Sequence, residues 1–172
     1  MKIIIFSNTS WSLYNFRYEL IQSLNQTNQL HLLSNKDKYI KELNNIGCQT
    51  SFIKLDSQNL NIFKEIILFI KIFKIIVSYK PDLVLSFTIK PNLYSLIISK
   101  LFNFKLIINI TGVGNIFSKK NLLFYFKKFL YKFFLVNAHY IFFQNYNDQE
   151  YFINNKIINI NKANYSILPG SG

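Results

Sequence analysis

The chain has 172 residues, of which 50% are hydrophobic and 17% aromatic. That is enough to bury one core and excludes a disordered composition. The formal net charge is +12, and Cys48 is the single cysteine, which excludes a disulfide framework or a thiolate metal site and fits a reducing compartment. The opening MKIIIF is too short an apolar run for a signal peptide, and lysines break every longer apolar segment before about 18 residues, so no bilayer span is expected.

In chain order, residues 2–6 predict an opening strand and residues 12–25 a helix with Leu13, Phe16, Leu20, Ile21 and Leu24 as its buried stripe. Residues 30–33 predict a second strand, 38–46 a short helix closed by Gly47, and 50–55 a third strand. Residues 61–79 predict a long helix with Ile62, Ile66, Phe69, Ile70, Phe73, Ile76 and Val77 on one face, ended by Pro81.

The stretch 82–117 reads as strand, polar loop, helix, strand and Gly-bearing loop. Residues 82–87 and 105–110 are apolar on both faces, as in a parallel sheet covered on both sides. The helix between them, 92–102, carries Leu93, Leu96, Ile97 and Leu101 at helical spacing. Residues 121–136 predict a further helix, 140–143 a strand, 147–154 a polar helix and 165–168 a last strand. Strands alternate with helices throughout. The expected fold class is therefore α/β: a Rossmann-like, doubly wound, mostly parallel sheet in one domain over residues 1–168.

Charge is distributed unevenly. Between Asp82 and Asp148 there is no acidic residue, while Lys90, Lys100, Lys105, Lys119, Lys120, Lys127, Lys128 and Lys132 fall there. A field of one sign attracts anions. Lys120, Lys127, Lys128 and Lys132 form one stripe beside an aromatic helix, a pattern of membrane-interface helices and of helices packed on a partner domain. A core helix with a lysine-solvated face has the same pattern. Nucleic acid is disfavoured, because the aromatics lie on apolar faces rather than among the lysines.

Ligands of an open parallel sheet bind outside the carboxyl ends of its strands. The polar residues there are Thr88-Ile89-Lys90-Pro91-Asn92 and Thr111-Gly112-Val113-Gly114-Asn115. Gly112-x-Gly114 is not a dinucleotide fingerprint, since Phe117 stands at the third position and the first strand–helix turn has no glycine. It reads equally as a tight turn and as a loop that lets a ligand approach the backbone. Arg17, the only arginine, lies beside the apolar stripe of the first helix, where a guanidinium either snorkels or meets an anion. Lys90 precedes a helix start and reads as an anion contact or a solvated lysine. His31 and His139 adjoin strands and read as structural; Asp148 and Glu150 open the polar helix and support its N-terminus. No nucleophile–base pair and no metal cluster is legible.

Four motifs in order, SFTIKPN at 86–92, NITGVGNIF at 109–117, FFQNYNDQEYF at 142–152 and the closing LPGSG, resemble the N-terminal domain of family 4 glycosyltransferases. The likeness is to the bacterial enzymes that extend lipid-linked oligosaccharides and surface polysaccharides. The resemblance spans the chain and implies the N-terminal half of a GT-B fold, which binds the acceptor and docks on the membrane. It further implies a retaining transfer without metal, from a nucleotide sugar such as a UDP-sugar to an undecaprenyl-diphosphate-linked saccharide. By similarity, Asn15, Arg17, Thr88, Lys90, Asn92, Thr111, Gly112 and Gly114 line the acceptor side, and Asn8, Thr9, Ser10 and Trp11 border the donor phosphates. Lys120, Lys127, Lys128 and Lys132 would face an anionic membrane on the inner, cytoplasmic side.

Two departures accompany the resemblance. Many members have a Gly-rich first loop and a His after the fifth strand; here Ser-Asn-Thr-Ser and Thr111-Gly112 stand there. The donor-binding C-terminal domain, with its two glutamates, has no counterpart, so residues 169–172 are expected to begin an inter-domain hinge and the chain to be inactive alone. A membrane-associated scaffold recruiting a separate donor-binding chain is the alternative. A stand-alone nucleotide-binding domain is disfavoured by the first loop.

Overall fold

A computed structural model describes residues 1–55, 62–112 and 122–168, without the side chains of 122–124 and 127. The elements are β1 (Lys2–Thr9), α1 (Ser10–Asn25), β2 (Gln29–Asn35), α2 (Ile40–Asn44), β3 (Gln49–Phe52), α3 (Ile62–Tyr79), β4 (Leu83–Phe87), α4 (Ile89–Ser99), β5 (Lys105–Ile110), α5 (Leu122–Phe134), β6 (Tyr140–Phe143), α6 (Tyr146–Asn154) and β7 (Tyr165–Ile167), with a 3₁₀ turn at Leu135–Asn137. The strands form one sheet in the order β3-β2-β1-β4-β5-β6-β7. The pairings β1–β2, β2–β3, β5–β6 and β6–β7 are parallel. This is the α/β, Rossmann-like fold that the alternation of elements predicts. Contacts divide the chain inside β4 into two compact units, up to Leu85 and from Ser86 on.

In the first unit, Ile3–Phe6 of β1 and Leu30, Leu32 and Leu33 of β2 are buried on both faces, the near-continuous apolar run that a covered parallel strand requires. Thr9 caps α1, its Oγ1 accepting from the Ser12 amide at 3.1 Å, which satisfies one orphan donor of the helix start. The buried stripe of α1 is Ser10, Leu13, Arg17 and Ile21. Phe16 and Leu20, expected inside, are exposed. The helix starts earlier than predicted, and the turn-by-turn row from Ser10 carries Arg17 rather than Phe16 inward.

The long helix α3 brings a larger correction. It buries Leu68, Ile72 and Ile76, whereas Ile62, Ile66 and Ile70 of the predicted buried face are exposed beside Phe63, which is 74% exposed, and Ile67. Both sides of this helix are apolar, so periodicity could not select the inward one.

In the second unit, α4 begins at Ile89, earlier than the predicted residue 92, and buries seven of its eleven residues. Leu101, expected on its apolar face, lies beyond it and is exposed. The rings of Tyr131 and Phe143 meet Phe152 edge-on, with centroids at 5.9 and 5.3 Å, and seat α6. Asn145 and Asp148 cap each other across the start of α6: the Asp148 amide donates to Asn145 Oδ1 and Asn145 Nδ2 to Asp148 Oδ2, both at 2.8 Å. Asp148 thus supports a helix start, as expected.

His31 is structural: it is buried in β2, and its Nε2 pairs with Ser51 Oγ at 2.8 Å. Burial lowers its pKa from 6.5. The folded state therefore favours neutral imidazole, and stability present above pH 6.5 is lost as the pH falls through the lowered folded value. Urea midpoints measured from pH 8 to pH 5 should decline more steeply for the wild type than for His31→Gln.

Candidate functional site

In the first unit the expected donor-phosphate loop is no loop. Asn8 and Thr9 end β1, and Ser10 and Trp11 form the first turn of α1. Asn8 is half-buried, and its Oδ1 is sealed from solvent and finds no partner among the described residues. Ser10 is fully buried: its Oγ lies 2.9 Å from Ser34 Oγ and donates to the Asn35 carbonyl at 2.8 Å. It therefore ties α1 to the end of β2 beneath the surface on which it was expected. The Trp11 amide donates to Asp37 Oδ2 at 2.8 Å, while the indole, 44% exposed, meets Phe16 edge-on at 5.0 Å. Asn15 is exposed, its Nδ2 donating to the Trp11 carbonyl at 2.9 Å.

Arg17 does not snorkel. It is 9% exposed, and Nη1 donates to the Phe16 carbonyl at 2.6 Å. Burial pushes its guanidinium below the usual value, and a buried cation is favoured by charge compensation.

In the second unit the site is built on the N-terminus of α4. Thr88 precedes that helix at φ 72°, ψ 164°. A β-branched residue at positive φ is strained by ~1–3 kcal/mol. Its Oγ1 is sealed and finds no partner among the described residues, and its carbonyl accepts from the Asn92 amide at 3.0 Å. Lys90 is the second helical residue and half-buried. The first amides of a helix and a lysine there form an environment that favours an anion.

Asn92 was expected on the acceptor side. The structure places it at 0% exposure, under the helix start, with Nδ2 donating to the Asn109 carbonyl at 2.9 Å. It sits beneath the site, tying α4 to β5. Tyr131, which periodicity assigned no role, completes the tie: its hydroxyl donates to the Ile89 carbonyl at 2.9 Å. Burial pushes its phenol far above the ordinary range, opposed by a hydrogen bond from Asn92, so it remains a protonated donor. A tyrosine within an apolar helix signals a bonded hydroxyl, and that was the available clue. The side-chain oxygens of Ser86, Asn92, Ser95 and Asn109 are also buried without a partner among the described residues.

Thr111 and Gly112 follow β5, both half-buried, with Gly112 at φ 124° and open space around its α-carbon. That backbone is one glycine adopts freely. Gly114 and Lys120 lie outside the described residues, as does the side chain of Lys127. Lys128 is half-buried, and its Nζ donates to Asn155 Oδ1 at 2.9 Å, so it joins α5 to the end of α6; Lys132 is exposed. The expected lysine stripe is therefore broken at Lys128, because Asn155 lies within reach. Tyr125, Phe126, Phe129 and Phe133 are exposed on α5. Among the described residues no group of three His, Cys, Asp or Glu could hold a metal ion, and no helix is long and apolar enough to cross a membrane.

Residues 2–145 match the glycosyl transferase 4-like family. The chain belongs to that family. No curated protein sequence matches it. Among solved structures it is similar to a glycosyltransferase from Rickettsia africae ESF-5, at 17% identity and a TM-score of 0.68, covering 98% of this chain and 42% of that one. It is similar to Anabaena Alr3699/HepE in complex with UDP and glucose, at 14% identity and a TM-score of 0.67, covering 98% and 44%. It is also similar to MurG of Acinetobacter baumannii, at 12% identity and a TM-score of 0.62, covering 100% and 46%. The chain thus spans less than half the length of these proteins. Its fold is consistent with the N-terminal domain of a family 4 glycosyltransferase.

Two stability measurements test this geometry. Thr88→Gly should raise the unfolding free energy by about 1 kcal/mol, because glycine adopts positive φ without strain. Tyr131→Phe should lower it by about 1 kcal/mol, the net worth of the buried hydroxyl–carbonyl hydrogen bond. Urea unfolding followed by circular dichroism measures both.

Proposed function

We propose that this chain is the acceptor- and membrane-binding half of a retaining glycosyltransferase. The transferred sugar, a hexosyl or N-acetylhexosaminyl group, passes from a UDP-sugar to a lipid-diphosphate-linked saccharide at the inner face of the cytoplasmic membrane. A donor-binding half, in the same polypeptide or on a separate chain, supplies the nucleotide-sugar site, and this chain has no transfer activity alone.

The observation that carries the reading, beyond family membership, is charge on the second unit. Residues 86–171 hold ten lysines against Asp148 and Glu150. A diphosphate-linked acceptor is an anion attached to an apolar chain, and this unit offers a complement to each part. The α4 N-terminus, with Lys90, meets the diphosphate, and Thr88 holds the backbone at its edge. The exposed aromatics of α5, with Lys132, meet the lipid surface. In the first unit, taken by itself, Arg17 and Asn15 are acceptor contacts, and Asn8, Thr9 and Trp11 border the donor phosphates. Thr111, Gly112 and Gly114 give the acceptor sugar access to backbone. Asn92 and Ser10 position their neighbours.

Sedimentation with vesicles carrying an undecaprenyl-diphosphate-linked saccharide tests the proposal. Arg17→Ala and Lys90→Ala should each weaken acceptor-dependent binding by about tenfold, worth ~1.4 kcal/mol. Phe126→Ser with Phe129→Ser should abolish binding to anionic vesicles of any composition. Sugar transfer should appear only once a donor-binding half is added. Vesicle binding indifferent to the acceptor would favour the scaffold alternative, and transfer by the 172-residue chain alone would refute the division of labour.

A further inference from the structure

The second unit contains an apolar groove of about 570 Å³ between the end of α5 and the segment joining α6 to β7. That volume lies in the ~300–1,000 Å³ range of ligand pockets. Leu135, Ile157 and Ile158 form its floor and are buried, while Val136, 72% exposed, and Ile160, 53% exposed, stand as its walls. Ala138 and Ala163, just before β6 and β7, place it at the amino ends of those strands, whereas Thr111 follows the carboxyl end of β5. It is thus remote along the strands from the acceptor residues of this unit.

The walls are preformed. Lys156, at φ 53°, turns the chain and donates its amide to the Ile153 carbonyl at 2.9 Å. The Ile157 and Ile158 amides donate to the Phe152 carbonyl at 2.9 and 3.3 Å, and the Lys162 and Ala163 amides to the Asn159 carbonyl at 3.0 Å. A groove whose backbone is already hydrogen-bonded has little ordering entropy to lose on binding.

Its charge is what names the occupant. Lys132, Lys156 and Lys162 line the groove together with apolar side chains, and no carboxylate does. Asp148 is engaged by Asn145 at the opposite end of α6. Ammonium groups around an apolar floor complement an anion carrying a hydrocarbon chain. A purely apolar ligand would leave the lysines unused, and a small anion would leave the floor empty.

We infer that this groove binds one acyl chain of an anionic phospholipid, its phosphate held by Lys132, Lys156 and Lys162. The site goes beyond the membrane reading above: it selects a lipid by headgroup charge and captures a chain, where α5 only rests on a surface. An anionic lipid seated there anchors the second unit independently of the acceptor.

The probe is lysophosphatidylglycerol below its micelle concentration, compared with zwitterionic lysophosphatidylcholine, by calorimetry on the wild-type chain. The anionic lipid should bind at least tenfold tighter, and the combined Lys132→Gln, Lys156→Gln, Lys162→Gln variant should abolish that preference. A nitroxide-labelled analogue should broaden the methyl signals of Ile157, Ile158 and Ile160, and Ile160→Glu should prevent the broadening. Equal affinity for the two lipids, or broadening confined to isoleucines of α3, would overturn the inference. Phe126→Ser with Phe129→Ser should leave lysophosphatidylglycerol binding intact. Vesicle binding that survives unchanged in this variant counts against the surface-docking reading alone, and wild-type vesicle binding without lysophosphatidylglycerol binding counts against the groove alone.

Discussion

A parallel sheet covered on both faces governs this molecule. The strands β1, β2 and β5 are buried on both faces over most of their length, so their polar side chains must be satisfied inside or gathered where the chain leaves the sheet. Inside the first unit, Nε2 of His31 in β2 pairs with Ser51 Oγ of β3 at 2.8 Å. At the end of β4, Thr88 takes a strained backbone before α4 begins. The hydrogen bonds of Asn92 and Tyr131 hold that helix start in place, which is how a residue can persist at positive φ without being glycine. Those hydrogen bonds fix the first turn of α4 and the backbone of Lys90.

The two long amphipathic helices obey a different economy. α3 and α5 bury a narrow row each and leave Ile62, Phe63, Ile66 and Ile67, or Phe126, Phe129 and Phe133, in contact with water. Exposed apolar patches rimmed by lysine mark surfaces that meet lipid or another protein. The groove beside α5 adds a concave, hydrogen-bonded counterpart to that convex surface, with its own three lysines.

Much was legible before any coordinates. The alternation of apolar runs and helical periodicity determined the α/β class, the order of its elements and the bounds of β5 and β6, since an apolar run covered on both faces reads the same in sequence as in space. Four ordered motifs determined the family. The absence of a glycine in the first turn excluded a dinucleotide site, and the lysine-rich, acid-free interval identified the basic half. These are properties of composition and spacing, so they survive without tertiary contacts.

Tertiary structure decided what spacing leaves degenerate. Periodicity placed Ile76 of α3 inward correctly but Ile62, Ile66 and Ile70 wrongly, because apolar residues occupy most of its circumference and only packing chooses the inward row. The family resemblance implied that Asn92 and Ser10 line a site, whereas hydrogen bonds to the Asn109 and Asn35 carbonyls hold both side chains in the interior. Periodicity gave Arg17 two fates, and burial on α1 removed the snorkelling one. Tyr131, Asn109 and the groove behind α5 were invisible, because each depends on partners tens of residues away in the chain. Local sequence sets period and propensity; which polar atoms face one another across α4, α5 and β5 is settled only when the chain closes on itself.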